Sequence, residues 1–369
     1  MATQQVMHPM NSGVGDKSYA LNSFFQKKMM LKAKPMLEES ITRLYYNIVP
    51  KCLKVADLGC SSGPNALELV SNVINIAHTC SSNLNLNLPD FQFYLNDLFG
   101  NDFNTIFKSL PQFYKTLSEE KGHEIGSCFI NATPGTFYNR LYPNSSIHFF
   151  HSSYSLHWLS QSPEKLSEGE EALKWDSIYL TRKSCVSMHK AYLEQFQRDF
   201  IQFLKSRSEE LVPAGGMLLT FLGSGGTSEI RTSWELIDMS LKDLLLENLI
   251  EKATLECFNM PSYDPSMEEV KQVIEEEGSF ILLKLETIHQ NWDANGMNNG
   301  NANNDDENMR GEIVAKYFRA VTEPLLKAHF GELIMDELFL RFENKILQLI
   351  KKIKIFKFPT HVISLVKNA

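Results

Sequence analysis

The densest chemistry in this sequence lies in two short runs. The first, Asp57-Leu-Gly-Cys-Ser-Ser-Gly-Pro-Asn65, sets Gly59 and Gly63 between an apolar segment and a helix-forming one. Glycine lets the backbone turn sharply and approach a ligand closely. A helix that begins just behind such a turn offers unpaired N–H groups and the positive end of its dipole, which suit a carboxylate or a phosphate. The G-x-x-x-G spacing is not the G-x-G-x-x-G of a dinucleotide loop, which counts against a nicotinamide oxidoreductase. Asp97 closes the next apolar segment, Phe91-Gln-Phe-Tyr-Leu95. A carboxylate at a strand end can accept hydrogen bonds from both hydroxyls of a ribose, although an Asp in such a place also serves as a helix cap or turn residue.

The second run, Phe149-Phe-His-Ser-Ser-Tyr-Ser-Leu-His-Trp158, crowds polar tips beside aromatic faces. Such a cluster suits a planar, partly polar small molecule. His157 and Trp158 read as pocket residues. His151 reads as a satisfied core histidine rather than a ligand contact. Gln26 sits in an amphipathic stretch near the N-terminus, where a surface position is equally compatible with the pattern.

These residues need a scaffold. Apolar positions recur at helical spacing over 21–48, with Pro35 opening a new segment. Leu53–Asp57 reads as a buried strand and Ala66–Ala77 as the helix after the turn. Strands are expected at 91–95, 128–131 and 147–150, with helices at 102–117 and 189–211. Pro213-Ala-Gly-Gly216 is expected to end the last helix, before strand Met217–Leu222. Strands alternating with helices predict a mostly parallel sheet covered on both faces. Beyond Gly226 helices dominate, at 232–250, 266–277 and 311–346, with late strands at 279–286 and 361–366. Asn295–Asp306 is rich in Asn and Gly and reads as a disordered surface loop.

Composition narrows the function classes. The 369 residues, 43% hydrophobic, suffice for a large core. A net charge of -8 disfavours broad nucleic-acid binding. No stretch approaches the roughly 20 apolar residues of a membrane span, and the N-terminus lacks the apolar centre of a signal peptide. The six cysteines, Cys52, Cys60, Cys80, Cys128, Cys185 and Cys257, are scattered without a C-x-x-C pair. That is neither a disulfide framework nor a zinc site, and a cytoplasmic location is expected.

The acidic residue two before the first glycine resembles motif I of Rossmann-like methyltransferases. Further segments extend the likeness to essentially the whole chain: M-N-S-G-x-G-D-x-S-Y-A-x-N-S at 10–23, L-N-D-L-F-G-N-D-F-N at 95–104, P-G-T-F-Y-x-R-L-Y-P at 134–143, H-S-S-Y-S-L-H-W-L-S-Q at 151–161, F-N-M-P-S-Y at 258–263, E-E-G-S-F at 276–280 and E-P-L-L at 323–326. The chain resembles the plant SABATH methyltransferases, which methylate salicylate, benzoate, jasmonate and related acids, with a branch that methylates xanthine ring nitrogens.

The resemblance implies an α/β fold: a Rossmann-like class I methyltransferase sheet with a largely helical cap over the active site. It implies an N-terminal segment 1–50 closing the site, a core at 51–226 that binds S-adenosylmethionine (SAM), a mainly helical cap at 227–346 with strand 279–286 and a flexible loop 291–310, and a strand within 347–369 returning to the sheet. Tyr19, Ser23, Cys60, Asn65, Asp97, Leu98, Thr136 and Phe137 are implied to line the SAM pocket. Gln26 and Trp158 would hydrogen-bond the acceptor, while Tyr154, His157, Leu222, Trp234, Phe318 and Phe358 enclose it. Members of the family are often homodimers, so a homodimer is expected, with a small-molecule acceptor as partner. Thr136 stands where Ser is common, and Ser12 where Gly is usual. A magnesium site found in some members has Lys174-Trp-Asp176 at the comparable stretch and Glu256 in place of Asp, so no metal is assigned.

The implied reaction passes a methyl group to an oxygen. A carboxylic acid is ionised at neutral pH, so no general base is required and no catalytic acid–base pair is assigned. Gln26 leans towards a carboxylate acceptor. A xanthine N-methyltransferase is the alternative within the fold, and a non-catalytic binding protein the alternative outside it.

Overall fold

The computed structural model describes residues 9–121, 127–163, 177–180, 184–224, 229–291, 307–352 and 357–368. Lys174–Asp176 and the expected loop Asn295–Asp306 lie outside the described residues.

A short helix, α1 (Tyr19–Asn22), is capped by the Ser18 side chain, which accepts from the Leu21 N–H. It leads into α2 (Phe24–Ile48). Pro35 does not break α2 as its type predicts. The helix runs through it, because Met29, Ala33, Met36, Leu37, Ile41 and Leu44 bury one continuous face, and that packing outweighs one missing backbone hydrogen bond. The chain then alternates: β1 (Cys52–Leu58), α3 (Asn65–Leu84), β2 (Asp90–Asp97), α4 (Phe103–Lys121), β3 (Cys128–Pro134), β4 (Ile147–Ser153), α5 (Val186–Glu210) and β5 (Leu211–Leu222).

Pro213–Gly216 does not separate α5 from a strand. Helix passes straight into strand at Leu211, and the four residues form an irregularity inside β5: Leu211 pairs with Ile147 and Gly216 with Phe149, so the register jumps. Ala214 takes a positive φ of 59° there. A bulge of this kind accommodates residues that would otherwise interrupt a ladder.

Helices α6 (Glu229–Leu246), α7 (Lys252–Cys257) and α8 (Met267–Glu277) follow, then β6 (Phe280–Asn291), α9 (Glu307–Phe330), α10 (Met335–Lys352) and β7 (Lys357–Lys367). The helical stretch expected at 311–346 is two helices, broken at Gly331, whose φ is +87°. The expected loop 291–310 shrinks at both ends, because β6 reaches Asn291 and α9 begins at Glu307.

All seven strands form one sheet in the order β3-β2-β1-β4-β5-β7-β6. The first five are mutually parallel, and β7 lies antiparallel to both β5 and β6. Strands β1, β4 and β5 are buried on both faces, as their near-continuous apolar runs require. Strand order reverses between β1 and β4, and ligands of open α/β sheets bind outside the carboxyl ends of strands at such a switch point.

Candidate active site

The turn after β1 is held from two sides. The N–H groups of Gly59 and Cys60 both donate to the Asn96 carbonyl, at 2.9 and 3.0 Å. Gly59 has φ +79°, and a Cβ built there would fall 2.0 Å from Ser155 Oγ. The turn after β2 faces it. Asp97 Oδ2 accepts from the Ser61 N–H and Oδ1 from the Leu98 N–H, each at 2.8 Å. Asn96 Nδ2 donates to the carbonyls of Thr133 and Gly135, so the loop after β3 joins the same frame. Strand ends β1, β2 and β3 thus make one rigid rim.

Past β4 the chain builds the opposite wall. Tyr154 takes a positive φ of 57°, its N–H donates to Thr220 O at 2.8 Å, and its hydroxyl meets Thr360 Oγ1 on β7 at 2.6 Å. Trp158 pairs with Ser262 in an isolated bridge, and its carbonyl accepts from the Tyr138 hydroxyl. Its indole meets Trp234 edge to face at 6.1 Å. Phe25 packs its ring against both Tyr154 and Phe358.

Between the walls lies a cavity of about 1180 Å³, counting its open mouth. It brings together Tyr19, Asp97, Leu98 and Phe137 of the expected cofactor residues, and all eight expected acceptor residues: Gln26, Tyr154, His157, Trp158, Leu222, Trp234, Phe318 and Phe358. Ser23, Cys60, Asn65 and Thr136 are not on its wall. Asn65 Nδ2 donates to Ser23 Oγ at 3.1 Å, which ties α3 to the start of α2. Cys60 turns into a small core with Ala66, Leu67, Leu95 and Ile106. Thr136 Oγ1 accepts from the Tyr138 N–H within its own turn.

Sequence reasoning missed Tyr317, Val321 and Leu325, which face the cavity from α9 at four-residue steps, a spacing that could have revealed them. It also missed Pro9 and Met10. The strap that carries them is fastened at both ends. Asn11 Nδ2 donates to Glu323 Oε2 on α9 at 2.6 Å, and the Gly13 N–H donates to Asp102 Oδ2 beside the cofactor-side rim at 3.1 Å.

The acid of the first motif is held from within the protein. Asp57 is buried and meets His151 Nδ1 at 2.7 Å, so the ring nitrogen donates to the carboxylate beneath the rim. His151 is the core histidine the sequence led us to expect. A second buried pair holds the loop that carries Phe137. Arg207 Nε donates to Glu210 Oε2 at 2.8 Å, and neither side chain has exposed surface. The two terminal nitrogens of Arg207 donate to the carbonyls of Phe137 and Asn139, at 2.6 and 2.8 Å. Glu210 Oε1 accepts from the N–H groups of Leu141 and Tyr142, at 2.5 and 3.0 Å.

Burial sets the charges in the cavity. Asp97 opens onto the cavity and is enclosed on every other side, which pushes its carboxyl up to about 6 against the pull of its two backbone donors. Burial lowers His157 to about 3, so this ring is neutral at neutral pH. Burial raises Tyr19 and Tyr317, whose phenols stay protonated. No Lys or Arg is found among the described residues lining the cavity.

This wall fits SAM. Asp97 keeps lone pairs free for two hydroxyl donors, Ser61 Oγ is buried on the rim without a partner, and Phe137 and Leu98 offer apolar faces to a flat base. A consequence can be measured. Asp97 ionises as pH rises through about 6, and only the carboxylate can accept both hydroxyls. SAM affinity measured by calorimetry is therefore expected to be level above neutrality and to weaken roughly tenfold per pH unit below that value. Asp97→Asn should bind more weakly at neutral pH and lose the pH dependence. A wild-type affinity that stays level down to pH ~5 would rule out this role, because more than half of the free carboxyl would then be protonated.

Known proteins place this geometry. The family model described as SAM-dependent carboxyl methyltransferase matches residues 4–368. A probable jasmonic acid carboxyl methyltransferase 2 of Theobroma cacao is 43% identical over 380 residues, covering 100% of both chains. A 3,7-dimethylxanthine N-methyltransferase 1 of Coffea arabica is 44% identical, covering 100% of this chain and 98% of its own. A benzoic acid/salicylic acid carboxyl methyltransferase 3 of Petunia hybrida is 42% identical, covering 100% and 99%. Among solved structures, a loganic acid methyltransferase with SAH superposes with a TM-score of 0.82 at 29% identity, covering 98% of this chain and 99% of that one. With the family model matched along nearly its whole length, the chain belongs to the SAM-dependent carboxyl methyltransferases, the SABATH family.

Proposed function

We propose that this enzyme methylates the carboxylate of a small aromatic or oxylipin acid, of the salicylate, benzoate or jasmonate kind. The acceptor end of the cavity carries the reading: neutral donors set in aromatic walls, with His157 held near 3. A carboxylic acid of pKa about 4 is already a nucleophile at neutral pH and asks the protein for no base. Methylation of a ring N–H, the reaction in the name of the coffee relative, must also release a proton, whereas a carboxylate has none to lose.

In this reading Tyr19, Asp97, Leu98 and Phe137 contact SAM, with Ser23, Cys60, Asn65 and Thr136 supporting the rim from behind. Bound there, SAM supplies an electrophilic methyl group on a sulfonium, whose positive charge complements an anionic acceptor. Gln26 and Trp158 orient the carboxylate as neutral donors and do not bind it as an ion pair. Tyr154, Leu222, Phe318 and Phe358 shape the apolar space around the rest of the molecule and exclude water. Positioning of this kind can contribute about 7–11 kcal/mol. The described part of the N-terminal segment expected at 1–50 closes the site from Pro9 on, as the wall positions of Met10, Tyr19 and Gln26 support. We place the enzyme in the cytosol as a homodimer that takes no nucleic-acid or membrane partner. Free cysteines support the compartment, and no described helix is long and apolar enough to cross a membrane.

Transfer of labelled methyl from SAM across benzoates, jasmonate, indole acetate and methylxanthines tests the acceptor. Transfer to methylxanthines alone would overturn the proposal. Trp158→Phe keeps a ring and removes the indole donor. A hydrogen bond to a charged group contributes about 1.5–3 kcal/mol, so acceptor KM should rise roughly ten- to hundredfold while SAM affinity is unchanged. Equal losses for both ligands would contradict the assigned role.

A further inference from the structure

The methyl donor is a permanent cation at sulfur, and the cavity has little formal charge to set against it. Asp97 is the one carboxylate among the described residues lining the cavity. Its oxygens already accept from two backbone N–H groups, and its remaining lone pairs suit two ligand hydroxyls. Until an acceptor carboxylate arrives, neutral groups must solvate the sulfonium.

Tyr19 and Tyr317 are placed to do this. Tyr19 comes from α1 on the donor side, where a Cβ built at Gly63 would fall 3.6 Å from its ring. Tyr317 comes from α9 and sets its ring against Phe25 at 5.7 Å; Phe25 also packs on Tyr154, at 5.4 Å. One residue of the strap joins the two tyrosines. The Tyr19 N–H donates to Asn11 O, and the Asn11 N–H donates to the carbonyl of Ala320, one turn beyond Tyr317, each at 2.9 Å. The phenols also feel one another: besides burial, the largest influence, Tyr317 and then Asp97 raise Tyr19. Both residues line the cavity and keep 8% of their surface open. Neither hydroxyl has a hydrogen-bond partner among the described residues, whereas that of Tyr154 is bound to Thr360 Oγ1.

A sulfonium has no N–H or O–H to donate. Its partners are oxygen lone pairs facing its polarised C–H groups and the faces of aromatic rings. A tyrosine supplies both. Charge state matters as much as placement. A carboxylate in this position would be a second nucleophile competing for the methyl group. Burial keeps both phenols protonated, so their oxygens attract the cation without attacking it. On transfer the S–CH3 bond breaks and sulfur keeps its electron pair, so the product SAH is a neutral thioether. The same oxygens then have no cation to hold.

We propose that the Tyr19 and Tyr317 hydroxyls form a neutral-oxygen clamp on the sulfonium and set the preference for SAM over the SAH that must leave. This rests on SAM lying along the donor wall and is independent of which acceptor is used.

Calorimetry with SAM and SAH, with no acceptor present, tests it. Contacts of this kind are individually modest, so Tyr317→Phe should weaken SAM about three- to tenfold and leave SAH within about twofold of wild type. Tyr19→Phe should act in the same direction, and the double variant should widen the loss. Each substitution removes only an oxygen without a partner in the protein, so urea unfolding should stay close to wild type. A SAM analogue with an ammonium at the sulfur position keeps the charge without the methyl and should lose at least as much affinity as SAM. Equal weakening of SAM and SAH would show that the hydroxyls meet a part the two ligands share. Unchanged SAM affinity would show that they meet neither ligand, and an ammonium analogue that behaves like SAH would show that charge is not what they read. Any of these three results overturns the proposal. A wild type that binds neither SAM nor SAH would instead sink the assignment of this wall to the cofactor.

Discussion

Replacing Gly59 with alanine will cost the enzyme its SAM site. At φ +79° an alanine pays the left-handed penalty of about 1–2 kcal/mol. The larger effect is steric. The new methyl would lie 2.0 Å from Ser155 Oγ and 2.6 Å from Ser155 Cβ, contacts that require something to move. Ser155 cannot yield cheaply, since its hydroxyl lies 3.3 Å from the carbonyls of both Gly59 and Ser153, which share its single proton, and its own carbonyl accepts the Trp158 N–H. Relief has to come from the rim or from the acceptor wall. Forced overpacking typically costs about 1–3 kcal/mol more, so a loss of SAM affinity of at least about thirtyfold is expected by calorimetry, with acceptor KM raised as well. Gly13→Ala is the matched control. Its φ is +85° with open space around the position, so it should lose only the backbone share. Similar SAM affinities for the two variants would show that close approach at Gly59 is not what shapes the site.

Arg207→Met should be the most destabilising single change outside the cavity. The side chain is close in length, but the substitution takes from the buried Glu210 carboxylate its fully buried cationic partner, leaving it Arg140 Nε at 3.3 Å and two backbone donors, and it removes the Arg207 donors from the carbonyls of Phe137 and Asn139. Removing one member of a buried pair typically costs about 3–5 kcal/mol, to be read from urea unfolding. The loss should appear in function too, because Phe137 lines the cavity and Tyr138, next to it, donates to the Trp158 carbonyl. Arg207→Lys keeps the charge but not the planar fork that reaches two carbonyls and a carboxylate together. It should fold, with SAM affinity between those of the wild type and the Met variant. Full stability in Arg207→Met would mean that the pair does not hold the loop.

Legibility in the sequence followed the reach of each signal. The alternation of strands and helices and the turn at 57–65 were readable because they depend on local periodicity and glycine chemistry. Pro35 and Pro213–Gly216 misled because local propensity yields to packing: one lies inside a helix that buries a long face, the other inside a bulge that the sheet absorbs. The eight residues expected around the acceptor meet on one cavity because most of them are large and aromatic or aliphatic, and such side chains meet in a cavity or a core. The cofactor rim was less readable. Ser23, Cys60, Asn65 and Thr136 carry suitable donors and acceptors, yet their partners lie within the protein, and residue type does not say which way a short polar side chain turns. Asp57 and His151 find each other across two adjacent strands, from positions 94 residues apart.

The position of β7 has a consequence for how the molecule comes into being. It is later in the chain than any other strand, yet it lies between β5 and β6. During synthesis β1 to β5 can assemble as they emerge, whereas β6 has no neighbour to join until β7 is made. β7 also brings Phe358 to the acceptor cavity and Thr360 to the Tyr154 hydroxyl. Non-local pairings of this kind form slowly and leave strand edges open in the meantime. A nascent chain can therefore hold a nearly finished methyl-donor site while its acceptor pocket does not yet exist, so the ability to choose a substrate is acquired last.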